Sequence, residues 1–157
     1  FHNRFIWPHR RGHALQKRRN RGKDIRRHKV LSDTAFADMT ALIIDDQEFV
    51  VNIIRKMMEQ IGFGQIETAA DGQAGLHAMT GVRPDVVLCD IEMRPKELRD
   101  STDRTIRDTP VIFLTSHGRH ELVAKARALG ADGFVTKPAT VNLLRERIEQ
   151  SIQSRAA

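Results

Sequence analysis

The chain has 157 residues, enough for one domain with a packed core. Its formal charge of +6 divides unevenly: residues 1–39 hold 11 Lys+Arg and 3 Asp+Glu (net +8), and residues 40–157 hold 15 and 17 (net −2). The single cysteine, Cys89, excludes an internal disulfide and fits a reducing compartment. No apolar run reaches the ~18 residues of a membrane span and no signal-peptide pattern is present, so a cytoplasmic location without membrane contact is expected.

Residues 1–38 show neither helical nor strand periodicity. They carry the basic clusters Arg10-Arg11, Lys17-Arg18-Arg19 and Arg26-Arg27, and few apolar side chains to offset the entropy of ordering. A disordered basic segment is the expectation, with no core side chain before residue 39. Nucleic-acid contact, if any, is expected only through this tail, where Phe1, Phe5 and Trp7 interleave with the cations. Met39 precedes the first strand, and a native start at Met39, with the basic segment lying upstream of it, is the working expectation. The folded domain is then residues 39–157.

From residue 40 strands and helices alternate. Ala41-Leu42-Ile43-Ile44 is an apolar strand ending in Asp45-Asp46. A helix follows over Glu48–Ile61, with Val50, Ile53, Ile54, Met57 and Ile61 as its inward stripe and Gly62 as its stop. Gln65–Ala69 is a short strand, Asp71-Gly72 opens a helix near Gln73–Met79, and Gly81 and Pro84 bound it. Asp85-Val86-Val87-Leu88-Cys89-Asp90 is a buried strand in which Cys89 packs as a small hydrophobe. Val111–Leu114 ends at Thr115, Arg119–Leu129 is helical with Leu122, Ala126 and Leu129 inward, and Phe134–Thr136 ends at Lys137-Pro138. Thr140 caps a last helix whose apolar stripe is Val141, Leu144, Ile148 and Ile152. This alternation predicts an α/β fold: a doubly wound, five-stranded parallel sheet with helices on both faces.

In such a sheet every strand C-terminus opens onto one crevice. Asp45, Asp46 and Asp90 therefore converge there with the Thr115 hydroxyl and the Lys137 ammonium. Three acids suit a hard divalent cation, Mg²⁺, with Asp46 direct and Asp45 through water, and the ammonium suits a phosphoryl group beside it. Asp90 is then positioned as an attacking carboxylate, the chemistry of aspartyl-phosphate intermediates. The competing plain roles are a helix cap for Asp45-Asp46, an ordinary strand-end threonine at Thr115 and a solvated lysine at Lys137. They would all have to hold together to remove the site.

The ordered set Asp45/Asp46, Asp90, Thr115, Phe134 and Lys137-Pro138 resembles the receiver domain of two-component response regulators, over roughly residues 40–154. The resemblance implies a flavodoxin-like fold, Asp90 as phosphoacceptor, and the main-chain carbonyl of Glu92 as a further metal ligand beside Asp45, Asp46 and Asp90. It implies a cis Lys137-Pro138 bond and a switch in which Thr115 moves to the phosphoryl group and Phe134 turns inward. Glu92 and His117, each two positions beyond a key residue, are expected to tune the site. One segment departs from the family. Met93-Arg94-Pro95 carries an inserted Arg, the following Gly is absent, and the third helix is one or two turns short, leaving Leu98 and Ile106 as its aliphatics. A loose crossover and a wetter sheet face beside it are expected.

The function implied is a phosphoacceptor switch. A histidine kinase or phosphotransfer protein donates to Asp90, and a downstream protein reads the face around residues 117–153. No enzyme activity beyond slow self-dephosphorylation is expected. The alternatives are a degenerate receiver acting as a docking module and, far less favoured, an aspartyl phosphohydrolase, which would need an acid/base Asp where Glu92 stands. The chain ends four residues after Gln153, which on this reading leaves either a stand-alone receiver or one domain of a longer protein.

Overall fold

The computed structural model describes residues 31–32, 34–93, 103–116 and 120–156. Five parallel strands, β1 (Thr40–Ile44), β2 (Gln65–Ala69), β3 (Val86–Asp90), β4 (Val111–Thr115) and β5 (Gly133–Thr136), form one sheet in the order β2-β1-β3-β4-β5. The described helices are α1 (Glu48–Ile61), α2 (Gly72–Val82), α3 (Arg104–Asp108), α4 (His120–Ala128) and α5 (Val141–Ala156). The doubly wound architecture predicted from the alternation is therefore present, and the chain reverses its winding between β1 and β3.

Strand residues alternate between two cores because successive side chains point to opposite faces. Ala41, Ile43, Val86, Leu88, Ile112, Leu114 and Val135 pack with Ile54, Met58 and Ile61 of α1 and Leu144 and Ile148 of α5. Leu42, Ile44, Val87, Cys89, Val111 and Phe113 pack with Met79 of α2, Ile106 of α3 and Ala126 of α4. Within α1 the inward stripe differs from expectation. Met58 is fully buried, whereas Ile53 is 39% exposed. The helix is apolar on more than one face, so several stripes satisfy a 3.6-residue period, and packing selects the one through Ile54, Met58 and Ile61.

α1 stops at Gly62, whose φ of 106° favours glycine and whose N–H donates to Met58 and Glu59 carbonyls. α2 is longer than expected and runs through Gly81 to Val82; Asp71 caps it by accepting from the Ala74 N–H at 2.7 Å. At α5 the Thr140 hydroxyl accepts from the Leu143 N–H at 3.2 Å, as the sequence suggests.

Two expectations are corrected. The core begins before residue 39, because Phe36, in a 3-10 turn over Phe36–Asp38, is wholly buried. It packs against Phe63 (ring centroids 5.0 Å apart) and joins the core between α1 and α5. The expectations for residues 1–30 lie outside the described residues. The second correction concerns the face beside the short crossover. α3 has only five residues, yet Val87, Cys89, Val111 and Phe113 are 0–1% exposed. Ile91 and Ile106, both buried, belong to that core together with Met79 and Ala126, and the described strand residues of this face are dry. Residues 94–102 and the Leu122 side chain lie outside the described residues.

Candidate phosphoacceptor site

The winding reversal between β1 and β3 leaves a crevice beyond their C-terminal ends, and the chemistry-bearing residues collect there. Asp45 leaves β1 with its N–H donating to the Ala69 carbonyl at 3.1 Å. Its carboxylate is wholly shielded from solvent and fully engaged. Oδ1 accepts from the Gln47 N–H at 2.9 Å, and Oδ2 accepts from Lys137 Nζ at 2.9 Å. Asp46 is exposed at the rim. Asp90 ends β3 and is 6% exposed; its Oδ1 accepts from the Glu92 N–H at 3.3 Å. Asp45, Asp46 and Asp90 each offer an oxygen, all within 4.8 Å of one another.

Thr115 ends β4 and is buried, and its carbonyl accepts from the Lys137 N–H at 2.7 Å, which pins the lysine to the neighbouring strand end. The Lys137–Pro138 bond is cis. Phe134, half-buried on β5, lies opposite Phe113 and packs on the core beneath α4. Glu92 is exposed at the β3 exit, and His117 lies outside the described residues.

Burial pushes the Asp90 carboxyl above the usual carboxylate range. The nearby Lys137 ammonium and the Glu92 N–H partly offset this, and the charges of Asp45 and Glu92 add to it. Burial also pushes the neighbouring Cys89 thiol up to about 12, aided by the negative charges of Asp90 and Asp45. Cys89 is thus a buried, unreactive core residue, as its place in the strand suggests.

The strand-end residues singled out in the sequence, Asp45, Asp46, Asp90, Thr115 and Lys137, all gather around this crevice. The sequence did not show which acid the lysine would choose. Lys137 bonds Asp45 in this structure, and no spacing signal could have distinguished Asp45 from Asp90. The Gln47 N–H, which orients Asp45, was likewise not anticipated; an Asx-type bond two residues on is the local signal that hints at it.

The donor set fits a small divalent cation. Three carboxylates offer oxygens within 4.8 Å of one another, with the Lys137 ammonium beside Asp45, and Mg²⁺ prefers such hard oxygen ligands. Among the described residues no helix is long and apolar enough to cross a membrane.

The chain is 33% identical over 138 residues to a protein-glutamate methylesterase/protein-glutamine glutaminase of Symbiobacterium thermophilum, covering 81% of this chain and 38% of that protein. It thus spans about a third of the length of the methylesterase relatives it matches. A probable chemotaxis protein CheY of Rhizobium etli is 33% identical, with 69% of this chain and 88% of that protein covered. Among solved structures, the chemotaxis response regulator CheY4 of Vibrio cholerae matches at 25% identity and a TM-score of 0.60, covering 74% of this chain and 98% of that one. The family described as the response regulator receiver domain matches residues 41–149, and with the fold and the acidic crevice in agreement, this chain belongs to that family.

Proposed function

We propose that this domain accepts a phosphoryl group on Asp90 from a histidine kinase or a phosphotransfer protein and thereby switches a protein-binding surface. The observation that carries the reading is the crevice itself: Asp90 stands at the end of β3 with Asp45 and Asp46 within 4.8 Å and Lys137 held 2.9 Å from Asp45. A carboxylate oxygen of Asp90 forms the new bond to phosphorus as the donor's bond to phosphorus breaks, and the product is an acyl phosphate. Asp45, Asp46, Asp90 and the Glu92 carbonyl would hold Mg²⁺, which when bound neutralises charge on the transferred group. Lys137 exchanges its bond to Asp45 for one to the phosphoryl oxygens, placing a fixed cation where charge develops. Thr115 donates its hydroxyl to the same group, and Phe134 turns into the space this opens. The face from α4 through β5 to α5 then changes its affinity for a downstream protein. Glu92, exposed at the β3 exit, and His117, two positions beyond Thr115 in the sequence, are the residues proposed to tune the lifetime of the acyl phosphate. Slow self-dephosphorylation is the only turnover, and a cytoplasmic location follows from the phosphodonor.

The short, polar segment between Asp90 and Thr115, with Leu98 and Ile106 as its aliphatics, favours a second reading, a receiver that docks partners without being phosphorylated. Incubation with a small phosphodonor and Mg²⁺ separates the two. The proposal expects Mg²⁺-dependent, hydroxylamine-labile labelling that is lost in Asp90→Asn; a folded wild-type chain that takes no label supports the docking module.

A further inference from the structure

We propose that Leu31 and residues 34–38 form a strap across the seam between α1 and α5, and that Arg145 is the positioning residue that holds it. The strap has its own hydrogen bonds: the Ala35 N–H donates to Ser32 at 2.8 Å and the Met39 N–H to Phe36 at 3.0 Å. It also reaches the end of α1, where the Gly64 N–H donates to the Phe36 carbonyl at 3.1 Å. The approach is so close that a Cβ on Gly64 would collide with the Ala37 carbonyl oxygen. Only glycine admits the strap at this point.

Arg145 supplies the link to α5. Its Cζ lies 5.5 Å from the Phe36 ring centroid, a cation–π distance. Its Nη2 donates to the Leu31 carbonyl at 3.2 Å, and its Nε donates to Glu149 at 3.0 Å, which fixes the guanidinium on the helix. Among the described residues, one planar fork thus engages both the strap and its own helix, a combination a lysine cannot reproduce. Phe36 sits on the same core as Leu144 and Ile148, so the strap and α5 share both an apolar and a polar contact.

α5 starts four positions after Lys137 and belongs to the partner face described above; this consequence rests on the proposed function. A strap bonded to α5 favours one placement of that helix. Any state of the crevice that shifts α5 must then alter the strap, and by reciprocity the strap biases the crevice.

Amide hydrogen exchange on the full chain tests both parts, using wild type, Arg145→Gln and Arg145→Lys, each with and without Mg²⁺ and beryllofluoride. Arg145→Gln is expected to speed exchange at Ala35, Met39 and Gly64 about tenfold or more while Leu88 and Cys89 in β3 stay unchanged, with Arg145→Lys between. In wild type, beryllofluoride is expected to change the exchange of the same three amides several-fold, an effect weakened in Arg145→Gln. Unchanged strap amides in Arg145→Gln, or an equal acceleration in β3, overturn the strap. Crevice amides that respond while strap amides do not overturn the coupling. If beryllofluoride moves neither, the phosphoacceptor reading fails and the coupling falls with it, while the comparison of variants still decides the strap.

Discussion

The two faces of the sheet are covered by different means. On one, α1 with 14 residues and α5 with 16 lie along the strands, and Phe36 fills the remaining gap. On the other, among the described residues, α2 with 11 residues, α3 with five and α4 with nine share the work, and side chains such as Ile91, Ile106 and Ala126 join the core. Both faces are dry. Among the described residues, the first is covered by long helices with large side chains and the second by several shorter elements.

Truncation on the two faces should expose this contrast. Phe36→Ala empties a fully enclosed aromatic site and is expected to cost about 3–5 kcal/mol in denaturant unfolding. Ile106→Ala sits on a five-residue helix able to settle into the gap, so about 2 kcal/mol is expected, at the low end for such a change. Equal losses would erase the distinction between the faces. Gly64→Ala comes next, at about 1–3 kcal/mol, because the new Cβ must displace the Ala37 carbonyl. A neutral result in the same unfolding experiment would show that the strap has room to move.

Much of this arrangement was legible in the sequence. The ends of β1, β3, β4 and β5 announce themselves as short apolar runs closed by Asp45-Asp46, Asp90, Thr115 and Lys137, and a parallel sheet must bring such ends together. The stripe of α5 was legible because polar residues separate Leu144 and Ile148 cleanly. Phe36 was not. It stands alone, in a stretch without periodicity that follows a run of basic residues, and its burial depends on Phe63, Gly64 and Arg145, all distant in sequence. Ile53 was misplaced for the opposite reason, since α1 offers more apolar residues than its buried stripe needs. The dry second face was missed because Ile91 lies past the end of β3, where a strand-by-strand reading does not count it.

The crevice lies between the two faces, and its charges provide smaller effects. Asp90 has a carboxyl pKa raised by burial, so the folded state binds its proton more tightly than the unfolded chain does. Stability from this group is therefore greatest in acid and is lost as pH rises from the ordinary carboxylate range through the raised value. Asp90→Asn should raise the melting temperature at pH 7, and the gain should shrink as pH falls through the raised value and vanish near the ordinary carboxylate value of about 4. A gain that persists at low pH would point to packing rather than charge. Lys137→Met should strengthen Mg²⁺ binding several-fold in calorimetric titration, because the ammonium no longer competes for Asp45. Weaker binding would mean that the lysine orients Asp45 for the ion instead of occupying it.

The most direct test of the central claim is an amide NMR map of the full chain with Mg²⁺, recorded before and after addition of beryllofluoride. Shifts are expected at Asp45, Asp46 and Asp90 through Glu92, at Thr115 and at Phe134 through Lys137, extending into α4 and α5. Shifts confined to the three acids, or none at all in a chain that remains folded, would contradict it.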